Sequence, residues 1–217
     1  MASATNLIDA VKAGNRPEVE KILAENDTLA AVVDDNGVSA VTLAVYYGHP
    51  DLARLIAGVR GPLSISEAAA LGDLQALETA LEYEHVETIS PDGFTPLGLA
   101  AYFGHLEAVR FLLSRGARPG AHSQNPLNVT PLHSALAGGH VDLARLLLDA
   151  GSDPRAAGGE GWTPLHYAAD LGDAELAGWL LERGADPEAR NSAGQSPLDI
   201  AVESGHEHVA DLMRAPA

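Results

Sequence analysis

Apolar residues along this chain come in paired short clusters with a glycine inside each pair. The later cluster of a pair has helical spacing: Val19, Ile22 and Leu23; Leu77, Ala80 and Leu81; Val109, Leu112 and Leu113; Leu176, Leu180 and Leu181. Apolar residues three and four apart share one face of a helix. The earlier cluster is clearest in Thr163-Pro164-Leu165-His166-Tyr167-Ala168-Ala169, preceded by Gly161-Trp162 and followed by Gly172. Here the Thr hydroxyl can accept from an orphan N–H of a first helical turn, and Pro at the first position loses only an N–H that had no partner. Leu165 and Ala168 then share a face, and Gly172 ends a short helix. The same opening recurs as Thr95-Pro96-Leu97 with Gly104, Thr130-Pro131-Leu132-His133 with Gly139, and Ser196-Pro197-Leu198 with Gly205.

The glycine that divides each pair serves as a ruler. Gly14, Gly48, Gly72, Gly104, Gly139, Gly172 and Gly205 are separated by 34, 24, 32, 35, 33 and 33 residues. Nine residues before them stand Thr5, Ser39, Leu63, Thr95, Thr130, Thr163 and Ser196, all but Leu63 of helix-capping type. Four residues before them stand Ala10, Ala44, Ala68, Ala100, Ala135, Ala168 and Ala201, small enough to let neighbouring helices approach. The second helix of a unit stops at Gly116, Gly151 and Gly184, and at Asn26 in the first, residues that tolerate a left-handed backbone. A period near 33 predicts a stacked array in which each unit buries its apolar face against its neighbours.

These residues, and the T-P-L-H motif above all, resemble the ankyrin repeat. The resemblance covers essentially the whole chain and implies an all-α ankyrin-repeat solenoid of about seven helix–turn–helix units with short β-hairpin fingers. The expected division is one repeat domain over 1–217. It comprises an N-terminal capping unit (1–30), repeats at 31–60, 61–88, 89–120, 121–154 and 155–187, and a C-terminal capping repeat (188–217). The charged residues of the first unit and of the last helix fit solvent-facing caps. The chain ends about where the next helix-ending glycine would fall, which predicts a complete array.

Two irregularities matter. The step of 24 lacks about nine residues, those of a connecting hairpin. Gly58-Val59-Arg60-Gly61-Pro62 bridges directly to the next helix, Leu63 stands where a cap is expected, and Ser64-Ile65-Ser66-Glu67 offers a capping box one residue later. The row of fingers is expected to break at this divergent unit and to leave a weak seam. The step of 35 lengthens one finger tip within His122 to Asn128.

Charge and composition narrow the function. The formal net charge is −17, from 30 acidic against 13 basic residues. Such a surface repels phosphate backbones and anionic lipid, so no nucleic acid and no membrane are expected as partners. The partner is expected to be another protein, and a basic one fits best. With no cysteine in the chain, disulfides and thiolate chemistry are excluded. Neither a secretion signal nor an apolar run of membrane-spanning length is found, which makes a cytoplasmic monomer the expectation.

No catalytic residues, metal site or cofactor are expected. Of nine histidines, His133 and His166 lie in T-P-L-H, where the resemblance implies hydrogen bonds within and between repeats. His49, His105, His140 and His206 follow the inner-turn glycine, again at a usual position of the family. His206 and His208 point to different faces of a helix and chelate poorly. Phosphate-binding and nucleophile-elbow motifs are absent. The segments Gly116 to Gly120, Gly151 to Arg155 and Gly184 to Glu188 lack the Asn that the family's eukaryotic members often carry, so hydroxylation there is not expected. Glu78, Glu82, Glu84 and Glu87 form either a solvated helix face or a docking patch for a basic peptide.

The resemblance also implies a concave binding groove, lined by finger-tip residues and by the two residues before each inner-turn glycine. Six of the ten aromatic residues occupy those places: Tyr46, Tyr47, Phe94, Tyr102, Phe103 and Trp162. The competing reading packs each ring on its own neighbouring finger. Phe111, Trp179 and Tyr167 are expected in the core. Asp34, Asp35, Asp92 and Glu160 at the tips would steer a basic partner. The expected function is therefore a protein–protein interaction module and not an enzyme. The alternative is an acidic inhibitor or decoy that occupies a nucleic-acid-binding surface of its target.

Overall fold

The computed structural model describes residues 3–214, and among these are fourteen α-helices in seven antiparallel pairs. The pairs are α1 (Ala4–Lys12) with α2 (Arg16–Glu25), α3 (Ala40–Tyr46) with α4 (Pro50–Arg60), and α5 (Ile65–Leu71) with α6 (Leu74–Ala80). There follow α7 (Pro96–Tyr102) with α8 (Leu106–Ser114), α9 (Pro131–Ala137) with α10 (Val141–Asp149), α11 (Pro164–Leu171) with α12 (Ala174–Glu182), and α13 (Pro197–Glu203) with α14 (Glu207–Arg214). The chain forms two compact units, Met1–Pro96 and Leu97–Ala217.

In the N-terminal unit α3 packs on α1, α4 and α5, and a short 3-10 helix, Asp27–Ala31, packs on α2 and α4. In the C-terminal unit α11 packs on α9, α12 and α13, and α14 on α12 and α13. Both cores are layers of short helices. Their largest fully buried side chains include Leu7, Ile56, Ile65 and Leu77 in the first unit and Leu132, Leu147, Leu165 and Leu180 in the second. The seven aligned alanines are all buried, as the close approach of the helices requires.

The seven inner-turn glycines all have positive φ, from +65° to +78°. A side chain is resisted there by the backbone itself. At Gly14, Gly104 and Gly172 a second constraint is added: a Cβ would lie 2.5–2.6 Å from the imidazoles of His49, His140 and His206 respectively. At Gly48 and Gly139 the same space is open. The difference lies one repeat further on, where Asp73 and Asp173 replace the histidine and turn their carboxylates to cap α6 and α12 through the N–H groups of Ala76 and Leu176.

Four local expectations are corrected. Helix α1 is capped by Ser3 and not by Thr5, two residues earlier than the ruler places it. Asn26 is extended (φ −156°) and caps the 3-10 helix through its side chain, so no left-handed stop is needed there. The fingers are tight turns more than strands: one isolated bridge, Val33 to Ser39, is their only ladder among the described residues. Each finger closes on itself, as in Gly158 N–H to Trp162 C=O, and two fingers of the C-terminal unit rest on their neighbours through single bonds, Gly159 N–H to Leu127 C=O and Ser192 N–H to Glu160 C=O.

The fourth correction concerns the missing finger. Ser64 does cap α5 in a capping box with Glu67, and Gly61 turns the chain at φ +108°. The row of tips, however, does not break. Pro91 of the next finger lies against Gly37, and the Tyr46 hydroxyl donates to Asp92. The later finger leans across and leaves a cavity of about 740 Å³ behind it, lined by Val38, Thr42, Leu63, Ala80 and Tyr83. Pro91 occupies the position at which other fingers donate an N–H to their neighbour, and proline has none to give.

Candidate protein-binding surface

The scaffold of the surface is a set of imidazole bonds between successive repeats. In α9, His133 is completely buried, and its Nδ1 faces the N–H (3.3 Å) and hydroxyl (2.7 Å) of Thr130. Its Nε2 therefore carries the hydrogen and donates to the Trp162 carbonyl at 3.0 Å. His166 repeats the arrangement with Thr163 and with the Gln195 carbonyl at 3.1 Å. Burial pushes the His133 pKa down to about 4, and burial likewise lowers that of His166. Both are neutral hinges of the fold, not acid–base groups. His140 and His206, which follow the inner-turn glycine, reach back to the Tyr102 and Asp170 carbonyls.

Repeat three does the same work with charge. Glu67 sits at the place of His133 in the first turn and is 4% exposed. Its oxygens accept from both Nη atoms of Arg60 at 2.6 and 2.5 Å, from the Ser39 hydroxyl, and from the Ser64 N–H. Burial raises its pKa, and the bonds from Arg60 and Ser39 outweigh that and hold it below the usual carboxylate range.

On this scaffold the finger tips and the ends of the first helices present the aromatic residues. In the C-terminal unit Tyr102 is 46% exposed and meets Phe103 edge-on, with ring centroids 5.1 Å apart. Trp162 is half-buried, tilted against His166 and edge-on to Tyr167 at 5.1 Å. In the N-terminal unit Tyr47 is 50% exposed with Lys12 near its ring face, Phe94 is half-buried, and Tyr46 is tied to Asp92.

The charged tips differ among themselves. Asp35 and Glu160 are exposed. Asp34 accepts from the N–H groups of Asn36 and Val38, and Asp92 from Tyr46 and Ser90, so both carboxylates also hold their own fingers in shape. Three rings depart from the expected core. Tyr167 is half-buried and belongs to the Trp162 cluster. Phe111 and Trp179 are half-buried on outer helices, roofed by Arg115 at 4.6 Å and Arg183 at 3.6 Å. The arginines four residues downstream were the available signal, because i and i+4 share a helix face. Among the described residues no group of side chains could hold a metal ion, and no helix is long and apolar enough to cross a membrane.

A family model of ankyrin repeats (three copies) matches residues 65–158, 117–191 and 155–216. The chain is an ankyrin-repeat protein. Ankyrin repeats generally mediate protein–protein interaction, and the family is a typical non-enzymatic module. The human DNA-binding protein RFXANK is 48% identical over 59 residues, covering 26% of this chain and 23% of that protein. Ankyrin repeat family A protein 2 from human and from cattle is 43% identical over 58 residues, covering 26% of this chain and 18% of those proteins. The matches thus span about a fifth of the length of these curated relatives.

Proposed function

We propose that this ankyrin-repeat protein binds a basic partner protein on the face formed by finger tips and first-helix ends, the concave face of the family. Tyr46, Tyr47, Phe94, Tyr102, Phe103 and Trp162 serve as anchors, and Asp34, Asp35, Asp92 and Glu160 steer the partner. The observation that carries the reading is the exposure of the large rings of Tyr47 and Tyr102 at these positions. Tyrosine and tryptophan dominate interface energetics because they bury a large area at little entropic cost. The backbone at Tyr102 and Trp162 is already held by the imidazole bonds, so binding orders little there.

One relative is named a DNA-binding protein, but a chain of net charge −17 opposes a phosphate backbone, which disfavours direct DNA binding. The same charge supports a second reading, an acidic decoy on a nucleic-acid-binding surface of the target. The two separate experimentally. A partner is first captured from native lysate and identified by mass spectrometry. Trp162→Ala and Tyr102→Ala are then each expected to weaken its complex by about 1–4 kcal/mol, while the melting temperature moves by a few degrees. Unfolding of both variants with affinity retained would place these rings in the core and end the proposal. Steep salt dependence with little effect of either substitution would favour the decoy.

A further inference from the structure

We propose that the hollow beside Trp162 receives the guanidinium of an arginine from the partner, stacked on Trp162 and Tyr167 and held at the rim by Glu160 and Asp170. The proposal rests on the protein-binding reading and names the chemistry of its contact. The hollow measures about 270 Å³ and lies wholly within the C-terminal unit. The rings of Trp162 and Tyr167 meet at 64° and form two of its walls. Val129 and the exposed Leu127 of the preceding finger form a third, and Glu160 and Asp170 complete the lining.

The two carboxylates distinguish this hollow. Both side chains are exposed, and among the described residues neither has a hydrogen-bond or ion-pair partner, unlike Asp34 and Asp92, whose carboxylates hold their own fingers. Both charges reach the Tyr167 phenol, whose pKa is raised by burial first and then by Glu160 and Asp170. An apolar side chain entering here would strip water from the carboxylates and return nothing. A cation over the rings is attracted by their π faces. Arginine fits better than lysine because its plane stacks on a ring while its fork of donors can reach two acceptors. The chain makes this contact within itself: Arg183 lies 3.6 Å from the Trp179 ring centre.

The test is an NMR titration of the full ¹⁵N-labelled chain with the peptide acetyl-Gly-Arg-Gly-amide, the two indole N–H signals being assigned with Trp179→Phe. The Trp162 signal is expected to shift saturably. The citrulline peptide, of equal shape but uncharged, is expected to bind about tenfold more weakly or worse. Tyr167→Leu keeps an apolar residue on α11 and removes one wall, and the double variant Glu160→Gln/Asp170→Asn removes the rim charge. Each is expected to weaken the arginine peptide by about fivefold or more with the melting temperature nearly unchanged. Equal response to the arginine and citrulline peptides, or an unmoved Trp162 signal at the highest soluble peptide concentration, would overturn the proposal. A captured partner that loses affinity with Tyr102→Ala but not with the double variant would overturn it too, while leaving the binding face in place.

Discussion

Repeats five and six, with His133 and His166, and repeat three, with Glu67, put different chemistry at the same place in the first turn of the first helix. The imidazoles are neutral, and each joins its own cap to the next finger with one nitrogen on either side. The carboxylate cannot donate to a carbonyl, so it gathers donors instead: Arg60, Ser39 and the Ser64 cap. A neutral donor–acceptor bridge adds little desolvation cost. A buried ion pair carries a large one and becomes a liability once either partner is lost. The missing finger lies before repeat three, and Glu67 reaches across that joint to the Ser39 cap of repeat two.

The largest expected effect follows directly. Arg60→Ala strands a buried carboxylate and should cost about 3–5 kcal/mol, read by denaturant unfolding, with loss of hydrogen-exchange protection around residues 52–66. A loss below about 1 kcal/mol would mean that the pair is merely tolerated. Acid comes next. The pKa of His133 is about 4 when folded against an ordinary 6.5, so between those values the unfolded chain binds a proton that the folded chain does not. Stability should therefore fall as pH drops through that window, by about 3 kcal/mol in all, with His166 shifting the same way. Glu67 moves later: its folded pKa is lowered, so its contribution is present above the ordinary carboxylate value and lost only below it. Melts of the native chain and of His133→Gln at several pH values should show a shallower slope for the variant between pH 6.5 and 4. Equal slopes would remove His133 as the cause.

Smaller effects sharpen the contrast at the inner turns. Gly104→Ala meets both positive φ and the His140 ring, whereas Gly139→Ala meets only the first. The former should cost about 1–3 kcal/mol more than the latter, whose own cost should be about 1–2 kcal/mol. Equal costs would show that the ring moves aside freely. Asp173→Ala should cost only about 1 kcal/mol, the worth of a helix cap, because that carboxylate acts within its own repeat. A much larger loss in the melt would reveal a role between repeats.

What could be read from the residues was whatever each residue demands locally. The inner-turn glycines, the buried alanines and the Ser64 capping box all reflect a steric or hydrogen-bonding need of a few neighbouring atoms. The lean of one finger onto another was not legible, because it depends on Pro91 meeting Gly37 across a gap that no local pattern describes. The double role of Asp34 could have been read, since Asp followed closely by Gly is a turn signature in which the carboxylate takes the backbone N–H groups. Of the proposed binding face, the sequence positions of the rings followed from the repeat. The union of Tyr167 with Trp162 did not, because the usual occupant of that site is leucine, a core residue with no ring to meet Trp162.

The joints of the C-terminal unit are not equally fastened. Repeats four and five share the His140 bond, and five and six share the His133 bond. Repeats six and seven share two, from His166 and from His206. Each joint carries other bonds as well, such as Gly159 N–H to the Leu127 carbonyl and Arg183 to Asp149 between repeats five and six, so no joint depends on its imidazoles alone.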